Sequence, residues 1–365
     1  MSQVDALFSL DGPEPEPDEF VRAAIRWHFD LNTGSPFWIR RAQTLEFDPL
    51  TDVKSLDDLK LFPNVVNELR DVVVEDLIPR GYGPEPEVAY IIESGGTTGA
   101  PKTIPILREW WDLSVANGVK RRDAQGEPRN AGTLALQPSG PHLGGQHWRR
   151  VSQARGNMTF AVDMDPRWVK KLIASGRVQE AEEYAEHIIE QAAWHLRSQN
   201  ISVLRGTPPL LIMLSRHDDL LELIQEKIKF IGWGGAHMDP DTRYLLRTDV
   251  FPGIKLAGGY ATTMALGAGA SERADLSDDD PCIFDSFAPY VTLQVVDETT
   301  RESIPFGERG RLLVHHVSPM FFMPNNLERD LATRVAAQEN GYGDTIADIG
   351  PVEVFDGERV IEGVY

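Results

Sequence analysis

The sequence predicts an α/β protein, a domain on a largely parallel sheet followed by a smaller antiparallel β unit. Three observations predict it. Segments with helically spaced apolar residues alternate with short apolar runs, "GTLALQP", "ISVLRGTP", "IKFIGWGG" and "IKLAGGYATT", each ending in Gly, Pro or Thr, and such alternation builds parallel sheets covered on both faces. From about Phe287 the helical spacing gives way to "YVTLQVVDETTRESIPFGERGRLLVHHVS", which reads as strand, turn and strand. The 365 residues, 41% hydrophobic and 25% charged, suffice for a large buried core.

Residues 1–19 form an acidic lead-in that is Pro-rich from Gly12 to Glu19, and "FVRAAIRWHFD" opens the globular part as a helix from about Phe20. Pro166 to Asn200 is helical, with Asp165 as N-cap, Pro166 in the first turn and Gly176 dividing the stretch. A formal charge of -20 argues against a sequence-independent grip on nucleic acid or on an anionic membrane. The single cysteine, Cys282, can form no internal disulfide and has no companions for a zinc framework, which fits a reducing compartment. The N-terminus lacks the basic start and apolar stretch of a secretory signal, and no apolar run is long enough to span a bilayer, so a soluble cytoplasmic protein is expected.

The stretch with the most chemical content is "ESGGTTGAPKTIPI", Glu93 to Ile106. Its glycines let backbone approach a ligand closely, and it adds two hydroxyls and a lysine, a set suited to phosphate. The NTPase phosphate loop is excluded, because Pro101 stands where that motif needs its last glycine. Alone, the stretch reads equally well as a solvated turn. Downstream follow "GWGGAHMDPDTRYLL", "LAGGYATTMA" and "ENGYGDTIADIGPVEVFDGERVIEGVY".

In this order and spacing the four stretches resemble the adenylate-forming superfamily of acyl-CoA synthetases, aryl-acid ligases, adenylation domains and luciferases, from about Val88 to the C-terminus. The resemblance implies two α/β subdomains over residues 20–286 and a β-barrel-like subdomain over 287–365 that ends at the family hinge. It implies that Ser94, Gly95, Gly96, Thr97, Thr98, Gly99 and Lys102 form a phosphate loop for ATP, with Thr97 and Thr98 on the β- and γ-phosphates. Gly234, Gly235 and Ala236 match the strand end against which acyl group and adenine lie. Tyr260 matches the aromatic under the adenine, Thr263 the hydroxyl at the α-phosphate, and Asp348 the carboxylate on the ribose of ATP or AMP. His142, Trp233 and Gly258 fall on the acid side of the site.

Two departures accompany these matches. Where the family has a glutamate for Mg²⁺, this sequence has Met264, and a thioether is a poor ligand for a hard cation, so no metal ligand is assigned. The sequence ends at Tyr365, where the family continues into a mobile C-terminal domain; the expectation is a large domain without that lid. Such standalone domains resemble those of phenazine antibiotic biosynthesis, which makes a phenazine carboxylate the expected aromatic acid and a partner enzyme the expected recipient of the acyl-adenylate. The rival readings are a degenerate fold that binds an aromatic acid or AMP without chemistry, and a ligase whose lid is a separate chain. Other features read as structural: His187 and Glu190 as a solvated helix face, His315 and His316 as neighbours on opposite faces of a strand, and Trp110 and Trp111 as core or pocket wall.

Overall fold

The computed structural model describes residues 15–95, 100–274, 277, 281–336 and 342–352, with the backbone of 354–355 and 358–359. In chain order these carry α1 (Pro17–Phe29), α2 (Pro36–Ala42), β1 (Val88–Glu93), β2 (Thr103–Leu107), α3 (Arg108–Ala124), β3 (Gly132–Leu136), α4 (Leu143–Ala154), β4 (Met158–Val162), α5 (Pro166–Ala174), α6 (Val178–Ser198) and β5 (Val203–Gly206). There follow α7 (Pro208–Ser215), α8 (Asp218–Lys227), β6 (Phe230–Gly234), α9 (Pro240–Leu245), β7 (Lys255–Tyr260), β8 (Ala270–Glu272), β9 (Ile283–Asp285), β10 (Val291–Val296), β11 (Arg309–Val317), β12 (Phe322–Val335) and β13 (Thr345–Pro351). Two units result. The first comprises Met1–Asp112, Thr263–Ala268 and Ser286–Ile346, and the second Leu113–Thr262, Gly269–Asp285 and Ala347–Tyr365.

The second unit is built on a mixed sheet in the order β4-β3-β5-β6-β7-β8-β9. Strands β4 to β7 in that order are parallel, and β8 pairs antiparallel with β7 on one side and with β9 on the other. The expected parallel strands are these: Leu134, Val203, Leu204, Phe230, Ile231 and Leu256 are all buried, as a sheet covered on both faces requires. Strand β4 was not evident in the sequence, and the reason is its edge position, where only Val162 is buried and no continuous apolar run is needed. The Asp165 side chain caps α5 by accepting from the amides of Arg167 and Trp168. Gly176, with φ +76°, separates α5 from α6 in a conformation that disfavours any side chain.

In the first unit β10, β11 and β12 form an antiparallel meander, with Leu293 opposite Val314 and Val314 opposite Asn326. Helix α1 buries Phe20, Val21, Ala24, Ile25 and Phe29. Phe29, Trp38, Phe62 and Phe322 make an aromatic core with ring centroids 5.2–5.7 Å apart, and the Trp27 and Trp38 indoles donate to the carbonyls of Pro319 and Phe322, both at 2.7 Å. His315 and His316 point to opposite faces of β11, and both faces are buried. Trp110 and Trp111 are buried, while His187 and Glu190 stand exposed on α6.

Candidate nucleotide and acyl site

In the second unit β6 and β7 run parallel, with Trp233 opposite Gly258 and Gly234 opposite Gly259. The chain therefore leaves β6 through Gly234, Gly235 and Ala236 beside Tyr260, the last residue of β7. The carboxyl ends of parallel strands are where open α/β sheets bind ligands. Gly234 is required by the close approach of the strands, since a Cβ there would lie 2.6 Å from the Gly259 carbonyl oxygen. Gly235 has φ +82°, a conformation that disfavours any side chain, and a Cβ there would make an ordinary contact with Thr207 Cγ2 at 3.5 Å.

His237 ties this loop to β13 through a short hydrogen bond from Nδ1 to the Ile349 carbonyl. The carbonyl can only accept, so Nδ1 carries the proton. This bond joins the residue after Ala236 to the residue after Asp348. Asp348 is half-buried and has φ +49°, a left-handed conformation that aspartate tolerates better than most residues. Held outliers of this kind cluster at ligand sites. Three of the four sequence stretches thus meet at one end of the second unit's sheet. His142 is half-buried at the N-cap position of α4 in the same unit.

Trp233 is 7% exposed, packed on Gly258 and edge-on to Phe284 at 6.1 Å. Behind it lies an ionic group that the sequence did not disclose. Glu272 accepts from the Gly258 amide at 2.5 Å with one carboxylate oxygen, and from Arg243 at 2.8 Å and Arg247 at 3.0 Å with the other. Arg247 also donates to the Leu256 carbonyl at 2.8 Å. The cause is topological: β8 pairs with β7 at Gly259 and Tyr260, so these side chains complete the backbone pairing of the preceding residues. The available signal was Glu272 within an apolar strand stretch; His237, beside Ala236, carried none.

In the first unit the base of the Ser94–Lys102 loop is closed by the Ser94 amide donating to the Lys102 carbonyl at 2.9 Å and the Lys102 amide donating to Ser94 Oγ at 2.8 Å. Ser94, Gly95 and Lys102 are half-buried, whereas Gly96, Thr97, Thr98 and Gly99 lie outside the described residues. Thr263 is half-buried at the head of a turn closed by the Leu266 amide donating to the Thr263 carbonyl at 3.1 Å. Met264 is 3% exposed. Among the described residues no three His, Cys, Asp or Glu side chains are grouped to hold a metal ion, and no helix is long and apolar enough to cross a membrane.

No protein-family model matches the sequence, and no curated protein sequence matches it. The fold, however, is similar to that of solved CoA ligases. The open conformation of 2-hydroxyisobutyryl-CoA ligase, in complex with 2-HIB-AMP and CoA, superimposes with a TM-score of 0.67 at 15% identity, over 94% of this chain and 76% of that one. The same ligase in its postadenylation state gives 0.66 at 15% identity, over 93% and 69%. The anthranilate CoA ligase AuaEII in complex with anthranoyl-AMP gives 0.50 at 14% identity, over 75% of this chain and 49% of that one, so the chain spans about half its length. At such identities the likeness is one of fold.

Proposed function

We propose that the protein uses ATP to activate a carboxylic acid as its acyl-adenylate. The observation that carries this reading is the meeting of Gly234–Ala236, Tyr260 and the left-handed Asp348 at the carboxyl ends of β6 and β7, fastened by His237 to the Ile349 carbonyl. In that arrangement Asp348 accepts hydrogen bonds from the ribose hydroxyls and Tyr260 stacks on the adenine. Thr97, Thr98 and Lys102 hold the β- and γ-phosphates, and the Thr263 hydroxyl addresses the α-phosphate. A carboxylate oxygen attacks the α-phosphorus, the bond from that phosphorus to the bridging oxygen breaks, and pyrophosphate leaves. Positioning and charge neutralisation supply most of the rate in such a step.

The acid proposed is aromatic, received at the Gly234–Ala236 strand end, with His142, Gly234, Gly258 and Trp233 as its surroundings. A phenazine carboxylate is the first candidate on the sequence resemblance, with a partner enzyme as acceptor of the acyl group. Buried Met264, at the place of a metal-binding glutamate, favours a second reading: a protein that binds AMP or an aryl acid without chemistry. Acid-dependent exchange of labelled pyrophosphate into ATP, measured with phenazine-1-carboxylate, anthranilate, benzoate and 2-hydroxyisobutyrate, decides between them. Exchange with an aryl acid supports adenylation, and AMP binding without exchange for any acid supports the second reading.

A further inference from the structure

The turn that carries Thr263 is fastened from both sides by ring N–H donors of the first unit. His316 Nδ1 donates to the Met264 carbonyl at 2.8 Å, and Trp110 Nε1 donates to the Leu266 carbonyl at 2.8 Å. These carbonyls flank Ala265, and Leu266 holds φ +49°, a conformation costly for a branched apolar residue unless its surroundings enforce it. The two donors are themselves packed together, with ring centroids 4.7 Å apart.

A hydrogen-bonded chain fixes the histidine. The Met264 carbonyl requires the proton on Nδ1, which leaves Nε2 as an acceptor, and Ser318 Oγ meets it at 2.8 Å. Ser318 also accepts, through its backbone carbonyl, from Nε2 of His28 on α1 at 2.7 Å. His28, Ser318 and His316 thus run in series from α1 to the carbonyl of Met264, all buried. Nothing in this chain binds substrate, yet it ends one residue from Thr263. The chain beyond His28, whose Nδ1 is buried without a hydrogen-bond partner among the described residues, directs the His316 proton at a single backbone carbonyl, and a polar network of this kind fixes geometry more closely than apolar packing does.

We propose that His316 and Trp110 are positioning residues for adenylate formation: they fix the Thr263–Leu266 turn so that the Thr263 hydroxyl meets the α-phosphate, with Ser318 setting the His316 tautomer. The inference rests on the adenylation reading above. A misplacement of about 1 Å in such an element is worth roughly a hundredfold in rate.

The test uses the full chain with Mg·ATP and the four acids named above, acyl-adenylate being trapped with hydroxylamine. His316→Gln moves the amide away from the Nδ1 position, His316→Asn keeps a donor there, and Trp110→Phe removes one donor while keeping a ring against His316. Expected are a fall in kcat of about ten- to a hundredfold for His316→Gln and for Trp110→Phe with KM for ATP little changed, and recovery of most of it in His316→Asn. Exchange of the Leu266 amide should quicken in the first two variants and not in the third. An unchanged kcat per folded molecule in His316→Gln, or equal losses in His316→Gln and His316→Asn, overturns the inference. If the wild-type chain yields no hydroxamate, the adenylation reading fails and the catalytic part of the inference with it, while Leu266 exchange still decides whether the donors hold the turn.

Discussion

Trp233 occupies the space that a side chain on Gly258 would need: a Cβ there would lie 2.6 Å from Cζ2 and 2.7 Å from Cε2 of the indole. The pair explains the glycine by packing, on the two strands that end at the proposed acyl site. Gly258→Ala must displace the indole from Phe284, and overpacking of this kind costs about 1–3 kcal/mol. Urea unfolding should show a lowered midpoint at unchanged slope, with altered near-ultraviolet dichroism from the tryptophans. A midpoint equal to wild type would show that Trp233 can shift freely.

The carboxylate of Glu272, its side chain 2% exposed, lies between the guanidinium groups of Arg243 and Arg247, at 2.8 Å from the first and 3.0 Å from the second. Glu272→Gln leaves the buried Arg243 and the half-buried Arg247 guanidinium groups facing a neutral amide. Removing one partner of a buried ion pair typically costs about 3–5 kcal/mol. The expected outcome is a large loss of stability in urea, far beyond that of Gly258→Ala. A loss of less than about 1 kcal/mol, the range of exposed pairs, would show that solvent reaches the group.

Much of this architecture was legible in the sequence because burial on both faces leaves continuous apolar runs, as at Leu134 in β3 and Ile231 in β6. The same physics hid β4, whose edge position exposes Met158. Gly234, Tyr260 and Asp348 were singled out by motif spacing, and of the three Gly234 has a packing reason in the structure, the close approach of the Gly259 carbonyl. Glu272, Arg247, His237 and His316 escaped that reading because each acts on backbone atoms, and any polar residue brought there by the fold could do so. Periodicity and local motifs carry no record of such long-range pairings.

Three histidines of the first unit give a pH dependence of stability. Burial lowers the pKa of His28 and of His315 from 6.5 to about 4 and that of His316 to about 3. All three stay neutral in the fold, while the unfolded chain takes up protons below pH 6.5. Their ionisation therefore leaves stability untouched above that pH and reduces it as the pH falls toward 4. A drop from 6.5 to about 4 amounts to about 3 kcal/mol per histidine once the pH is below both values. Urea midpoints should fall between pH 6.5 and 4.5, and in His28→Phe the slope should be smaller by up to about 1.4 kcal/mol per pH unit. A midpoint flat across this range would mean that the histidines reach solvent in the fold.

The last prediction concerns Asp348, where ligand binding and backbone strain must be separated. Asp348→Ala removes the carboxylate but keeps a Cβ at φ +49°, where the left-handed conformation costs about 1–2 kcal/mol. Asp348→Gly removes the carboxylate and the strain together. If the carboxylate bridges the ribose hydroxyls, charge-assisted bonds worth about 1.5–3 kcal/mol are lost in both variants, and affinity for AMP falls about ten- to a hundredfold in each. Stability should differ, with Asp348→Ala melting lower than Asp348→Gly. Calorimetry with AMP and thermal unfolding without it give the two quantities independently. Should affinity follow stability instead, low in the alanine variant and normal in the glycine variant, Asp348 would be serving the backbone turn and the ribose would have to be held by another group.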